Sequence, residues 1–195
     1  MVAWGWLALG RRCLGDTLQA IMAAVLFLLL QATGTWSGEW LIGGAESKVW
    51  AYGFLFLAAA WGLDRRWLLA ALSGGLAVSM HPVVGGWGMG IAVIAMVLER
   101  LARASRVEMA PPPSSPSRPA WPVILLALGV FAIASTPGLI FAVRSLAAPS
   151  PQVASEADYL QVGVRLSHHL DPLTFPVRAW RDYGLLLLVL LLVRS

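Results

Sequence analysis

Charge, cysteine and histidine are all scarce in this sequence, and each shortage closes off a class of protein. Only 12% of its 195 residues are charged, while 58% are hydrophobic. A soluble globular domain carries about 25% charged residues, so the sequence excludes an ordinary soluble fold, as does a mean hydropathy of +0.74. The single cysteine, Cys13, excludes an internal disulfide framework and a cysteine-built zinc site. It reads as an inert small residue at a helix start. The three histidines, His81, His168 and His169, stand in no HExxH or HxxxH spacing. No helix-borne metal motif is therefore present. The pI near 10 comes from arginines scattered over several loops. Without a basic stripe interleaved with aromatics, a nucleic-acid partner is excluded. In a membrane protein positive charge chiefly reports orientation.

What the sequence has in abundance is apolar runs such as LQAIMAAVLFLLLQ and YGLLLLVLLLV. A membrane helix needs about 20 mostly apolar residues. Spans are expected at about 14–33, 48–63, 67–82, 84–98, 120–143 and 183–195. The predicted fold is all-α, a polytopic transmembrane bundle of five or six spans with an amphipathic helix on its outer side. Residues 67–98 are short for two crossings, for which about 40 residues are usual. With Pro82, Gly85 and Gly86 as helix breakers, the segment reads as a hairpin whose HPVVGG turn is sunk below the outer surface. Irregular backbone at that depth must be covered by protein or line a wet cavity. Residues 99–119 read as a cytoplasmic linker, disordered over MAPPPSSPSRP. Residues 144–182 form an outer loop.

Positive charge orients this topology. With the Arg11-Arg12 end inside, the inner segments hold nine basic residues: Arg11, Arg12, Arg65, Arg66, Arg100, Arg103, Arg106, Arg118 and Arg194. The outer segments hold five: Lys48, Arg144, Arg165, Arg178 and Arg181. The positive-inside rule then puts the N-terminal side in the cytoplasm. Tryptophans at 36, 50, 61, 67, 87, 121 and 180 fall near segment ends, where their rings suit the interface. The last run, Tyr183 to Val193, is eleven residues long, enough for roughly half of a bilayer core. MVAWGWLALG reads as the tail of an earlier span. The chain is thus expected to be a fragment of a longer multi-pass protein.

The varied titratable residues gather on the outer side. His81, His168 and His169 fall there, with Glu39, Glu46, Glu156, Asp158, Asp171 and Asp182, six of the ten acids. On a helix over EADYLQVGVRLSHHL, residues advance about 100° each. Asp158, Gln161, Arg165, His168 and His169 then share one arc, with Ser155 as a cap and Pro172 as the stop. That arc either faces water or roofs a cavity opposite HPVVGG and GGAESK. Adjacent histidines diverge too far to share one ion. Arg165, His168, His169 and Lys48 better suit a phosphate or diphosphate, which a planar guanidinium and imidazole donors can hold. Glu46 or Glu39 could serve as general base or help hold a divalent metal ion. Glu46 and Lys48 could equally be a surface pair framing a span. His81 could be catalytic or a satisfied buried histidine. Asp16 could cap the first span.

The strings GGAESKVWAYGFLFLAAAW, LAVSMHPVVGGW and RLSHHLDP together resemble an uncharacterised bacterial multi-pass family carrying a domain of unknown function. Its pattern is similar to the polytopic C-type glycosyltransferases (GT-C), over about residues 14 to 183. The resemblance implies a lipid-linked sugar donor, an active site on the outer face and an acidic catalytic residue in the first outer loop. That loop is absent here, so the role passes to Glu46 only by position. The expected function is transfer of a sugar from a polyprenyl phosphate, with Glu46 and His81 catalytic and Lys48, Arg165, His168 and His169 holding phosphate. The alternatives are a transporter or channel subunit, which the broken hairpin suits, and a non-catalytic membrane scaffold.

Overall fold

Local chemistry sets the first helix boundary. Helix α1 (Val2–Leu14) stops where Gly15 enters the left-handed region at φ 76°. A glycine meets no Cβ clash there, and its N–H closes on the Arg11 carbonyl at 3.0 Å. Asp16 opens α2 (Thr17–Thr33) by accepting the Leu18 N–H on Oδ1 at 3.3 Å, so it caps the helix as its sequence position suggested. There follow α3 (Ser47–Leu63), α4 (Trp67–Met80), α5 (Pro82–Ala104), α6 (Trp121–Ala147) and α7 (Pro151–Asp158). A π-helical segment, Tyr159–Arg165, continues α7, and α8 covers Val177–Arg194. The computed structural model describes residues 1–33, 46–104, 121–147, 150–165, 173 and 175–194. Among these every regular element is helical.

The chain divides into two units. One comprises Met1–Ile21 and Gly44–Arg144, the other Met22–Gly43 and Ser145–Ser195. Within the first, α1 runs parallel to α3. Gly5 lies under the Gly53 carbonyl, Trp6 meets Phe56 edge-on at 5.5 Å, Trp4 meets Trp61 at 6.5 Å, and Arg12 reaches Asp64. Trp6 Nε1 also donates to the Ala20 carbonyl at 3.0 Å, which ties down the start of α2. Helix α4 returns antiparallel to α3 through Asp64, Arg65 and Arg66, with Arg65 at φ 60°. Helix α5 folds back on α4, placing Gly85 against Ala77 and Val78 and Gly74 against Met89.

Helix α6 runs parallel to α4 through backbone contact. A Cβ on Gly75 would lie 2.7 Å from the Phe131 carbonyl oxygen and from Ala134 Cβ. One on Gly138 would lie 2.6 Å from both Cα and O of Ser79. Gly75 and Ser79 are four residues apart, as are Ala134 and Gly138. This small-xxx-small pairing lets helices approach closely in lipid, where apolar burial gives no drive between them.

Of the six expected spans, two helices are long and apolar enough to cross a membrane among the described residues. They are Pro82–Glu99 in α5 and Trp121–Ser145 in α6. The expected bundle of five or six spans is corrected to this number, and the reason is where the helices break. Thr17–Leu30 and Trp67–Met80 are apolar but shorter, and α3 has 17 residues. At 1.5 Å per residue, the 14 residues of α4 rise only about 21 Å against a core of about 30 Å.

Other expectations change with the backbone. HPVVGG is not an irregular turn, because only His81 lies outside a helix and Pro82 is the first residue of α5. That position suits proline, whose missing N–H would be unused there. Helix α5 continues through Ala104, past the expected linker start, and residues 105–120 lie outside the described set. Ser150, not Ser155, caps the outer helix, accepting the Val153 N–H at 3.4 Å with Pro151 following. From Tyr159 the backbone is π-helical, with i→i+5 spacing. The regular 100° step that put Asp158, Gln161 and Arg165 on one arc does not hold across it. Helix α8 begins at Val177 and has 18 residues, longer than the eleven-residue run expected.

Candidate functional site

The helix directions sort the polar residues of the first unit to its two ends. The start of α3, with Glu46 and Lys48, lies at the same end as the α4–α5 joint at His81 and the last turn of α6 at Arg144. Arg11, Arg12, Asp64, Arg65 and Arg66 lie at the other. The sequence reading had placed Glu46, Lys48 and His81 on one side, and the packing brings them to one end.

The backbone around His81 engages its N–H, its carbonyl and its Nδ1. Its N–H donates to the Ala77 carbonyl at 3.0 Å, and its carbonyl accepts from the Gly85 N–H at 2.8 Å. Its Nδ1 accepts the Val84 N–H at 3.2 Å. One residue thereby closes α4 and caps α5, satisfying a donor that the first turn of a helix otherwise leaves free. A nitrogen that accepts cannot also carry a proton, so the bond assigns the neutral ring its proton at Nε2. The joint can be this short because Gly85 brings no side chain between the helices. A Cβ there would lie 2.4 Å from the Val78 nitrogen.

Glu46 sits just before the first turn of α3 and makes no cap bond with its side chain. Its Oε2 lies 3.0 Å from Lys48 Nζ instead. Lys48 is 9% exposed and Glu46 is half-exposed. The carboxylate neutralises an ammonium that is largely out of water, and a charge so placed needs a partner. The two residues do pair, as the sequence allowed, but Lys48 is buried rather than on the surface. Of the other expected site residues, Arg165 ends the π-helical segment in the second unit. His168, His169 and Glu39 lie outside the described residues. No group of three or more His, Cys, Asp or Glu suited to a metal occurs among the described residues.

Two features escaped the sequence reading. The first surrounds Pro137 inside α6. Proline removes the N–H that would bond the carbonyl four residues back. Nearby, Thr136 Oγ1 donates to the Ala132 carbonyl at 2.7 Å and Ser135 Oγ to the same oxygen at 3.1 Å. The Gly138 N–H donates across to Ser79 Oγ at 3.3 Å. The carbonyl that Pro137 leaves without its usual N–H is that of Ile133, so these bonds flank the break rather than replace the lost one. The string STPG within an apolar run was the available signal. The second is the clamp between α1 and the α3–α4 turn. Arg12 Nε donates to Asp64 Oδ1 at 2.8 Å while its Nη2 donates to Oδ2, a two-pronged guanidinium–carboxylate pair. Hydrogen bonding from Arg12 holds the Asp64 carboxyl below its ordinary range, and the same bonds raise Arg12. Residues 52 apart in sequence gave no local cue to it.

No protein-family model, no curated protein and no solved structure matches this chain, so no relative supports a specific family.

Proposed function

We propose that this chain is a multi-spanning helical protein of a bacterial inner membrane, with its arginine-rich end in the cytoplasm and the Glu46, Lys48 and His81 end outside. The observation that carries the reading is the backbone contact of α4 with α6 through Gly75, Ser79, Ala134 and Gly138. It belongs to a helix whose 25-residue apolar window leaves Leu125, Ile133 and Phe141 more than 60% exposed. Lipid is the solvent in which such a surface is stable without further cover. The native cysteine gives the test. Cys13 is exposed and lies beside Arg11 and Arg12. In intact cells a membrane-impermeant maleimide should leave Cys13 unlabelled until the membrane is opened. Ser47→Cys in a Cys13→Ser background should label from outside. Labelling of both from the same side, or release of the chain by alkaline carbonate, overturns the reading.

Within that reading, the outer end is the place for the glycosyl transfer that the GT-C resemblance implies, from a polyprenyl phosphate donor. Glu46 and His81 are its catalytic candidates and Lys48 a phosphate-holding one, while Arg165, His168 and His169 stay phosphate-holding candidates by residue type alone. The common end of Glu46, Lys48 and His81 supports it. Glu46→Gln and His81→Asn should each abolish transfer by the folded protein. Transfer that survives both substitutions leaves the two residues as structural supports.

A further inference from the structure

The outer end holds a cation that no structural role consumes. Arg144 stands in the last turn of α6, is exposed, and makes no ion pair among the described residues. It closes a shallow recess lined by Thr136, Leu139, Ile140, Val143 and Arg144. These positions are spaced three and four apart, so they form one stripe on one helix face. Thr136 sits at the deep end, and its hydroxyl already donates to Ala132. The stripe therefore makes no unmet polar demand except at Arg144. From Thr136 to Arg144 the helix rises about 12 Å, close to half of a bilayer core of about 30 Å. That is the depth of one leaflet. The recess lies within the α6 membrane window, which ends at Ser145, so Arg144 sits at headgroup level.

We infer that this face of α6 binds an anionic bilayer phospholipid, with its phosphate on Arg144 and an acyl chain along Leu139, Ile140 and Val143. The inference rests on the membrane reading above. Charge complementarity selects the occupant. A second protein helix would satisfy the guanidinium only by carrying an acid at that same level, whereas every anionic phospholipid brings a phosphate there. A zwitterionic lipid offers the same phosphate but cancels its charge with a choline. A planar guanidinium holds a phosphate diester through paired N–H donors.

The test uses the full chain purified from membranes and exchanged into micelles with equal amounts of phosphatidylglycerol and phosphatidylcholine, the retained lipid being counted by native mass spectrometry. The native chain should retain phosphatidylglycerol selectively. Arg144→Gln should lower that retention at least about tenfold, and Ile140→Trp, which fills the recess and keeps the charge, should lower it similarly. Arg178→Gln, an exposed arginine elsewhere, should leave it unchanged. Equal retention by the native chain and Arg144→Gln overturns the site while leaving a carbonate-resistant chain in the membrane. Release by carbonate overturns the site together with the membrane reading. Displacement of phosphatidylglycerol by equimolar polyprenyl phosphate overturns the phospholipid assignment and makes the recess a seat for a lipid-linked substrate.

Discussion

Replacing Gly138 by alanine adds one methyl group where the backbones of α4 and α6 meet. The new Cβ would lie 2.6 Å from Cα and O of Ser79 and 2.7 Å from the Val78 carbonyl oxygen. Ordinary contact begins at 3.4 Å, so the helices must part by roughly 0.8 Å, the difference between 3.4 and 2.6. All three atoms are backbone, and no rotamer change can move them aside. Overpacking of this kind costs about 1–3 kcal/mol, and fixed neighbours put it in the upper half of that range. Alanine recovers up to about 1 kcal/mol through its better helix propensity. Gly129, on the same helix, has nothing within 4 Å of its would-be Cβ. Gly129→Ala therefore receives the propensity gain without the clash. The propensity contribution cancels between the two variants, so their stabilities should differ by about 2–3 kcal/mol, roughly 30- to 150-fold in the folded-to-unfolded ratio. The ten tryptophans provide the signal. Unfolding would be followed by their fluorescence in mixed micelles of rising SDS fraction. A difference under about 0.5 kcal/mol refutes the close α4–α6 contact at Gly138, where all three neighbouring atoms are backbone.

His81→Ala should lower stability by about 0.5–2 kcal/mol through loss of the α5 cap, while His81→Asn, whose side chain also accepts from the first turn, should restore most of it; SDS titration of the two variants separates them. Ser79→Ala removes the hydroxyl that accepts the Gly138 N–H and should cost about 0.6 kcal/mol, with about 1.7 kcal/mol as a ceiling for such bonds in membranes, by the same measurement. The Arg12–Asp64 clamp makes stability depend on acid. A carboxyl whose folded pKa lies below the ordinary 3.8 contributes stability that is complete above that value and lost as pH falls through the lower folded one. Asp64→Asn should therefore lower the thermal midpoint at pH 7 and flatten its fall below pH 4, and Arg12→Gln should do the same without adding to it.

Two membrane-length apolar helices were legible in composition, and the Asp16 cap formed where it was read. The number of spans was not legible, because α2, α3 and α4 have only 17, 17 and 14 residues, and the use of glycine was not either. At Gly85 the sequence suggested a helix breaker, yet the residue sits within the first turns of α5, where its missing side chain admits Ala77 and Val78. Both uses look the same in one sequence. Small neighbours were the distinguishing cue, since Gly74 and Ala77 on one side of α4 and Gly75 and Ser79 on another mark contact with α5 and α6 rather than a turn. Helix period was equally silent about the π-helical stretch after Asp158, since a shift to i→i+5 bonding leaves no mark in the pattern of apolar residues.

The candidate site was legible as a location and not as a mechanism. Residue type alone brought out Glu46, Lys48 and His81 as unusual in an apolar chain, and helix direction then put them at one end. Their chemistry depends on what each group already touches. Glu46 neutralises Lys48, and the Nδ1 of His81 holds the first turn of α5. To act as a base, Glu46 must first give up its ion pair with Lys48. His81 has only Nε2 left for substrate, and any proton gained at Nδ1 removes the cap that fixes the joint. Catalysis at this end would therefore be coupled to the α4–α5 geometry. Arg144, which the sequence offered only as one basic residue among fourteen, is a cation there that makes no ion pair among the described residues, so it can bind a new anion without first giving up such a partner.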